Sequence, residues 1–245
     1  MLIKNAKMFN VGALFAITFF GVLIAIFSPL FNGKNGLQFA DDSFNKLAKG
    51  SSYFIPRVAK NNEQFTGRAF SVTIRAGKPE DMPGDAEKRA TGIAKIFTEA
   101  GARTEVTGAS VKIEGDLGTV LASALQDADA MFKNDGGKIK ARYGVDDEKK
   151  TFRQWHNGLT RISKEFDKEK RIAESNMVTE VVKKAVEPAY NFYQIDTNRV
   201  ADHAGMMSGL LIFYVFYTMW WGYAIFYMFD GLGLSMKKAK VKKEA

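Results

Sequence analysis

Histidine is the side chain that most readily binds metals or transfers protons near neutral pH, and this chain has two, His156 and His203. His203 directly follows Asp202, and the pair could hold a metal ion, a haem or a proton. It has no second ligand close by, so we interpret it as a side chain at the edge of a membrane. We expect His156, one residue past the apolar position Trp155, to be solvated or packed. The histidines therefore predict no metal site and no cofactor.

Carboxylates cluster at 81–87 and at 146–148, but neither cluster has the loop spacing of a calcium site, and acidic residues are common at helix starts. The chain contains no P-loop, GxSxG, HExxH or GxGxxG motif, so no phosphate cradle or activated nucleophile is indicated. It also has no cysteine, which excludes disulfides, thiolate iron–sulfur clusters, covalently attached haem and cysteine zinc sites. We therefore predict that the chain is not an enzyme.

Two long stretches without Asp, Glu, Lys or Arg occupy residues 8–31 and 205–229. Each exceeds the roughly 20 residues that a helix needs to cross about 30 Å of hydrocarbon, so both are predicted to span a membrane. The first is longer than the apolar part of a usual signal peptide and no A-x-A-like site follows Phe31, so we expect it to be retained as an anchor. Neither stretch contains an acidic or basic residue, which argues against a proton or ion path built by one chain.

Lysines outside both spans predict the orientation. Lys4 and Lys7 precede the first span, and five lysines follow the second: Lys237, Lys238, Lys240, Lys242 and Lys243. Because Lys and Arg accumulate on the cytoplasmic side, both termini are expected in the cytoplasm. Residues 32–204 would then lie on the other side of the inner (cytoplasmic) membrane, in the periplasm or outside the cell. The lysine tail could also contact anionic lipid headgroups.

The net charge of +8 comes mostly from these lysines. Without these seven lysines and without Asp230 and Glu244, which also lie outside the spans, 28 basic and 25 acidic residues remain. The region between the spans is therefore nearly neutral, and the charge does not indicate nucleic acid as a partner.

The region between the spans reads as an α/β domain. Alternating apolar residues at 68–76 predict a strand, and apolar residues at helical spacing predict helices over 85–100 and 117–132. Shorter strand patterns lie at 103–107, 109–114 and 138–143. The order β-α-β-β-α-β is that of a ferredoxin-like domain.

The run AKIFTEAGARTEVTGASVKIEGDLGTVLASAL (94–125) resembles the ring-building βαββα modules of flagellar MS-ring and type III secretion inner-ring proteins. In those modules a helix ending in EAG leads to a short hairpin and an Ala/Leu-rich helix. The layout with a span at each end is similar to that of polysaccharide co-polymerases, which place an oligomeric α/β domain between terminal spans. Both resemblances imply self-assembly.

A long helical arm is predicted over 146–187, which contains no proline and one glycine. As one helix it would be about 63 Å long. Its apolar residues step by three and four, as in a coiled-coil seam, for two heptads: Phe152, Trp155, Leu159, Ile162 and Phe166. The seam fits packing on its own domain and packing between subunits equally well.

The second span contains ten aromatic residues in 25 positions. Trp220 and Trp221 lie beyond its middle, where an interfacial belt is not expected, so they either face another helix or mark an offset in membrane depth. Gly205 and Gly209 form a small-xxx-small step that permits close helix approach. We expect these four residues, with the seam, to mediate oligomer or helix packing.

The sequence therefore predicts an α+β membrane protein in which two transmembrane helices flank an exported ferredoxin-like domain with a long helical arm. The predicted divisions are 1–31, 32–64, 65–144, 145–204 and 205–245. The predicted function is a structural homo-oligomer that forms a ring or belt in the membrane. The alternatives are an accessory subunit of a larger respiratory or transport complex, with other membrane subunits as partners, and an adaptor or sensor that binds a ligand on its sheet.

Overall fold

The computed structural model describes residues 3–77, 82, 84–197 and 200–234. The helices are α1 (Ala6–Phe27), α2 (Gly36–Ser51), α3 (Ile55–Asn62), α4 (Asp85–Glu99), α5 (Leu117–Phe132), α6 (Gly136–Tyr143), α7 (Glu148–Lys168), α8 (Ile172–Val181), α9 (Glu187–Asn191) and α10 (Ala204–Gly231). The strands are β1 (Ala69–Arg75), β2 (Arg103–Thr107) and β3 (Ser110–Asp116). Short 3₁₀ turns cover Glu63–Phe65 and Val200–His203, and a π turn covers Val182–Val186. The α+β class is confirmed.

The chain divides into two compact units, residues 1–44 with 198–245 and residues 45–197. In the first unit α1 and α10 pack against each other, and both are long and apolar enough to cross a membrane. Asn5 caps α1 by accepting a hydrogen bond from the Met8 backbone N–H at 3.2 Å. Outside their shared contact both helices expose large apolar side chains, such as Leu14 and Leu211, at 62% and 64%. Helices that are apolar all round are typical of the core of a large protein or of a membrane span.

The second unit contains a three-stranded antiparallel sheet with the order β1-β3-β2. Val72 pairs with Ile113, and Glu105 pairs with Lys112. Along β1 the side chains alternate between buried and exposed, as predicted for a half-buried strand. The buried face carries Phe70, Val72, Ile74, Val111 and Ile113 and joins the core formed with α4, α5 and α7.

The predicted fourth strand at 138–143 is wrong, because these residues form α6. Ile139 and Tyr143 are four residues apart, so they fall on one face of a helix, and both are buried. Gly144 ends the helix with φ +58°, in the left-handed region that glycine adopts without a penalty. The order β-α-β-β-α is therefore present over 69–132, and a helix takes the place of the last strand of the predicted ferredoxin-like order.

The predicted continuous helix over 146–187 is also wrong. It breaks after α7 at Lys170, which has φ +59°, and α8 then folds back onto α7. Hydroxyl groups join the two helices, since Ser163 Oγ lies 3.0 Å from Ser175 Oγ and 2.9 Å from Thr179 Oγ1. The arm is therefore a helical hairpin packed on its own unit.

Two prolines lie in the first turns of helices. Pro56 occupies the first turn of α3, where its missing N–H has no helical partner to lose. Pro188 lies in the first turn of α9, directly after the π turn. The Glu187 N–H bonds to the Val182 carbonyl five residues back, a wider turn that lets the chain stay helical around the proline.

Candidate functional site

The two histidines lie in different units and have different surroundings. His156 Nε2 lies 3.3 Å from Glu187 Oε1, which links α7 to α9. His203 directly precedes α10 and makes no side-chain capping bond to it. Among the residues that the structure describes, no three His, Asp or Glu side chains form a group that could hold a metal.

The acidic clusters serve helix ends. Asp147 caps α7 by accepting a hydrogen bond from the Lys150 N–H at 2.8 Å, and Asp85 and Glu87 lie in the first turn of α4. Asp81 lies outside the described residues. Glu148 accepts a hydrogen bond from the Tyr193 hydroxyl at 2.6 Å.

That hydroxyl, the backbone N–H at the helix start and Lys140 together lower the pKa of Glu148 to about 2. Burial, together with the nearby carboxylate of Glu148, raises the pKa of Tyr193 to about 12. Glu148 therefore ties α7 to the segment after α9.

The seam residues of α7 all lie inside their own unit. Each is at most 1% exposed: Phe152, Trp155, Leu159, Ile162 and Phe166. The Trp155 ring centre lies 5.0 Å from that of Phe97 on α4, and the Phe166 ring lies 6.0 Å from that of Phe70 on β1. The fold of a single chain therefore occupies the whole seam.

A buried polar network surrounds Asp127 of α5 and was not anticipated from the sequence. Asp127, 3% exposed, accepts hydrogen bonds from Trp155 Nε1 at 2.8 Å and from the Tyr143 hydroxyl, and it pairs with the Arg142 guanidinium at 2.7 Å. Burial and the nearby carboxylate raise the pKa of Tyr143. Arg142 also donates to Ser123 Oγ at 2.6 Å. The only signal in the sequence is an acidic residue within the apolar stripe of a helix.

Trp220 and Trp221 of α10 both face α1. Trp220 Nε1 donates to the Phe15 carbonyl at 3.1 Å, and the Trp221 ring centre lies 4.8 Å from that of Phe19. Tyr217 stacks on the same Phe19 ring at 4.2 Å. Both tryptophans therefore contact a helix of the same chain.

The predicted glycines do not mediate this helix contact. A Cβ on Gly205 or Gly209 would meet nothing within 4 Å. The close approach occurs instead at Gly12, where a Cβ would lie 2.5 Å from the Met228 nitrogen, and at Gly231, where it would lie 2.6 Å from Phe9 Cα. The five lysines of the predicted tail lie outside the described residues: Lys237, Lys238, Lys240, Lys242 and Lys243.

After α1 is in place, α10 still exposes many aromatic side chains. Six of them are between 42% and 66% exposed: Phe213, Tyr214, Phe216, Tyr223, Phe226 and Phe229. They form an outer aromatic surface of α10 that lipid or another helix could cover.

The outer edge of β1 has backbone groups without a strand partner. Ala76 N donates to the Ala109 carbonyl and Leu117 N to the Arg68 carbonyl, both at 2.8 Å. In an antiparallel pair the backbone groups of every second residue bond to the same neighbouring strand. The backbone N–H and C=O groups of even-numbered residues of β1 therefore bond to β3, and those of odd-numbered residues point away from β3. Of the outward groups, the Arg75 carbonyl accepts from Arg161 Nε at 2.7 Å. The N–H and C=O groups of Ser71 and Thr73 have no partner among the described residues.

A cleft of about 280 Å³ lies beside α7 and α9. Phe152 and Val186 form its apolar floor, and Arg153, His156 and Tyr190 are among its walls. We call it the α7–α9 cleft. The π turn before Glu187 shifts the helix register at this point, and such turns are frequent at functional sites.

Comparisons with protein-family models, with curated proteins and with solved structures give no match for this chain.

Proposed function

We infer that this chain is a membrane-anchored structural protein that assembles with copies of itself. The pair of helices α1 and α10 would be the anchor, inserted through its apolar outer surface. Residues 45–197 would lie on the side of the membrane opposite the lysine-bearing ends of the chain. The observation that carries the self-assembly is the outer edge of β1. Unpaired strand edges are templates for pairing with another chain, and proteins usually block them.

A second copy is the partner that best fits this edge. In an antiparallel pair centred on Val72, Ser71 of one copy meets Thr73 of the other, and Ala69 meets Arg75. The directly opposed positions therefore bring no like charges together, and Ser–Thr pairs can bond through their hydroxyl groups. Such a contact is two-fold symmetric and closes on itself, so a ring or belt needs a second contact. The outer aromatic surface of α10 supplies one within the membrane.

The same aromatic surface favours a second candidate function, that of an accessory subunit in a larger membrane complex. In that case a foreign helix would cover Phe213 and Phe216 instead of a second copy, and β1 would stay unpaired. The two functions differ in whether disrupting the edge of β1 changes the size of the particle.

Thr73→Pro tests the proposal. The Thr73 N–H points outward, so proline removes the donor offered to a second copy while the bonds between β1 and β3 remain. Val106→Pro is the matched control, because Val106 lies at the opposite edge of the sheet, on β2, and is 42% exposed. We expect the detergent-extracted Thr73→Pro variant to give a smaller particle in light scattering, and Val106→Pro to keep the wild-type size. An unchanged Thr73→Pro particle, or a smaller Val106→Pro particle, would refute pairing at β1.

A further inference from the structure

Tyr190 and Arg153 line the α7–α9 cleft, and Lys149, from the preceding turn of α7, reaches the same Tyr190 ring. Lys149 Nζ lies 4.9 Å and Arg153 Cζ lies 6.0 Å from the ring centre of Tyr190. A cation over an aromatic face is favourable, and the ring fixes where both charges lie. Two positive charges that share a ring also repel each other, and an anion between them would relieve that repulsion.

Neither cation has an acidic partner in the described part of the chain. Other cations of this unit do, since Arg142 pairs with Asp127, and Lys184 pairs with Glu180 at 3.1 Å. Both Lys149 and Arg153 are exposed, so a ligand can reach them.

Glu187 is the acidic residue that lines the cleft, and it already contacts His156. This contact directs its carboxylate toward the imidazole. The charges left to face a ligand are those of Lys149 and Arg153, and the apolar floor can accept an adjoining carbon skeleton.

We propose that the α7–α9 cleft binds the phosphate group of a small ligand, with Arg153 and Lys149 as its charged donors. A guanidinium binds phosphate through two parallel hydrogen bonds, and an ammonium adds a point charge. A doubly charged phosphate matches two cations better than a carboxylate does. The phosphate can belong to a lipid headgroup or to a free phosphate compound, since the chemistry of recognition is the same.

The test is calorimetric titration of the full chain in a neutral detergent with two probes, inorganic pyrophosphate and the soluble lipid dihexanoyl phosphatidic acid. We expect binding of at least one probe, and we expect Arg153→Ala to weaken it about tenfold or more, because a hydrogen bond to a charged group is lost. Arg153→Lys should recover part of the affinity. Lys150→Ala is the matched control, because it removes the same charge from the same helical turn, and Lys150 makes no described contact with Tyr190.

Each outcome decides a point. Binding of pyrophosphate identifies a free phosphate compound as a sufficient ligand, and binding of the lipid alone identifies a headgroup. No heat with either probe overturns the proposal. An equal loss of affinity in Arg153→Ala and Lys150→Ala would also overturn it, because the attraction would then come from diffuse surface charge. Circular dichroism confirms that each variant is folded.

Discussion

Asp127→Ala should destabilise residues 45–197 strongly, because Asp127 is the common acceptor of the buried network. The change leaves the Trp155 N–H and the Tyr143 hydroxyl buried without that acceptor, and it leaves the Arg142 guanidinium without its carboxylate. Removing one partner of a buried ion pair costs about 3–5 kcal/mol. Arg142 is 26% exposed and can be partly hydrated, so we expect the lower end of that range.

A loss of about 3 kcal/mol corresponds to a fall in Tm of about 6–12 °C for a unit of this size. Thermal unfolding of the full chain in detergent, followed by circular dichroism at pH 7, measures it. Tyr143→Phe removes one donor and keeps the ring, so it should lower the free energy of unfolding by about 1–2 kcal/mol. This milder variant tests the same network if Asp127→Ala does not fold.

Asp129→Ala is the matched control for Asp127→Ala. Asp129 lies two residues away on α5, and its ion pair with Lys133 is exposed to solvent. Exposed pairs contribute about 0–1 kcal/mol, so this variant should change Tm by only a few degrees. Equal effects of the two alanine variants would refute the central role that we assign to Asp127.

Three further predictions concern contacts in the same unit. The pKa of Glu148 is lowered to about 2 by its contact with Tyr193 and neighbouring groups, so its stabilising contribution is present above the pKa of the unfolded chain, near 4.5, and is lost as pH falls toward 2. Glu148→Gln should therefore make Tm less dependent on pH between 5 and 3, and an unchanged pH profile would contradict this. Gly118→Ala should cost about 1–3 kcal/mol, because its Cβ would lie 2.5 Å from a backbone nitrogen in the turn before β1. Gly137→Ala, whose Cβ would meet nothing closer than 3.8 Å, should leave Tm unchanged or raise it in the same melting experiment. Lys49 is 1% exposed, and burial lowers its pKa. Lys49→Met should therefore lower the free energy of unfolding by less than Lys49→Ala, which also opens a cavity. Chemical denaturation measures both losses, and equal losses would contradict this prediction.

Elements with a long, regular apolar pattern were predictable from the sequence. The alternation in β1 and the helical stripes of α4 and α5 each match an element of the structure within a few residues. The two apolar stretches correspond to α1 and α10, which are long and apolar enough to cross a membrane.

Segments of ambiguous period could not be assigned. The run KIKARY alternates like a strand, but the burial of Ile139 and Tyr143 on one face, decided by the tertiary core, makes it helical. The turn at Lys170 has no glycine or proline to mark it, so nothing local predicted that α7 and α8 would fold back on each other.

The candidate sites depend on contacts between residues far apart in sequence, which spacing alone does not reveal. Trp155 was predicted as an apolar seam residue, and its indole N–H reaches Asp127 from 28 positions away. His156 meets Glu187 only because α8 returns along α7. The sequences of α1 and α10 contain several small residues. Only the packing of the two helices shows that the close approach lies at Gly12 and not at Gly205.

The central claim is that copies of this chain assemble with one another in a membrane. Native mass spectrometry of the complex extracted from membranes in a mild detergent tests it most directly. We predict species whose masses are whole-number multiples of 27.2 kDa, greater than one. A single chain of 27.2 kDa, or a particle whose mass requires other polypeptides in fixed proportion, would contradict the account.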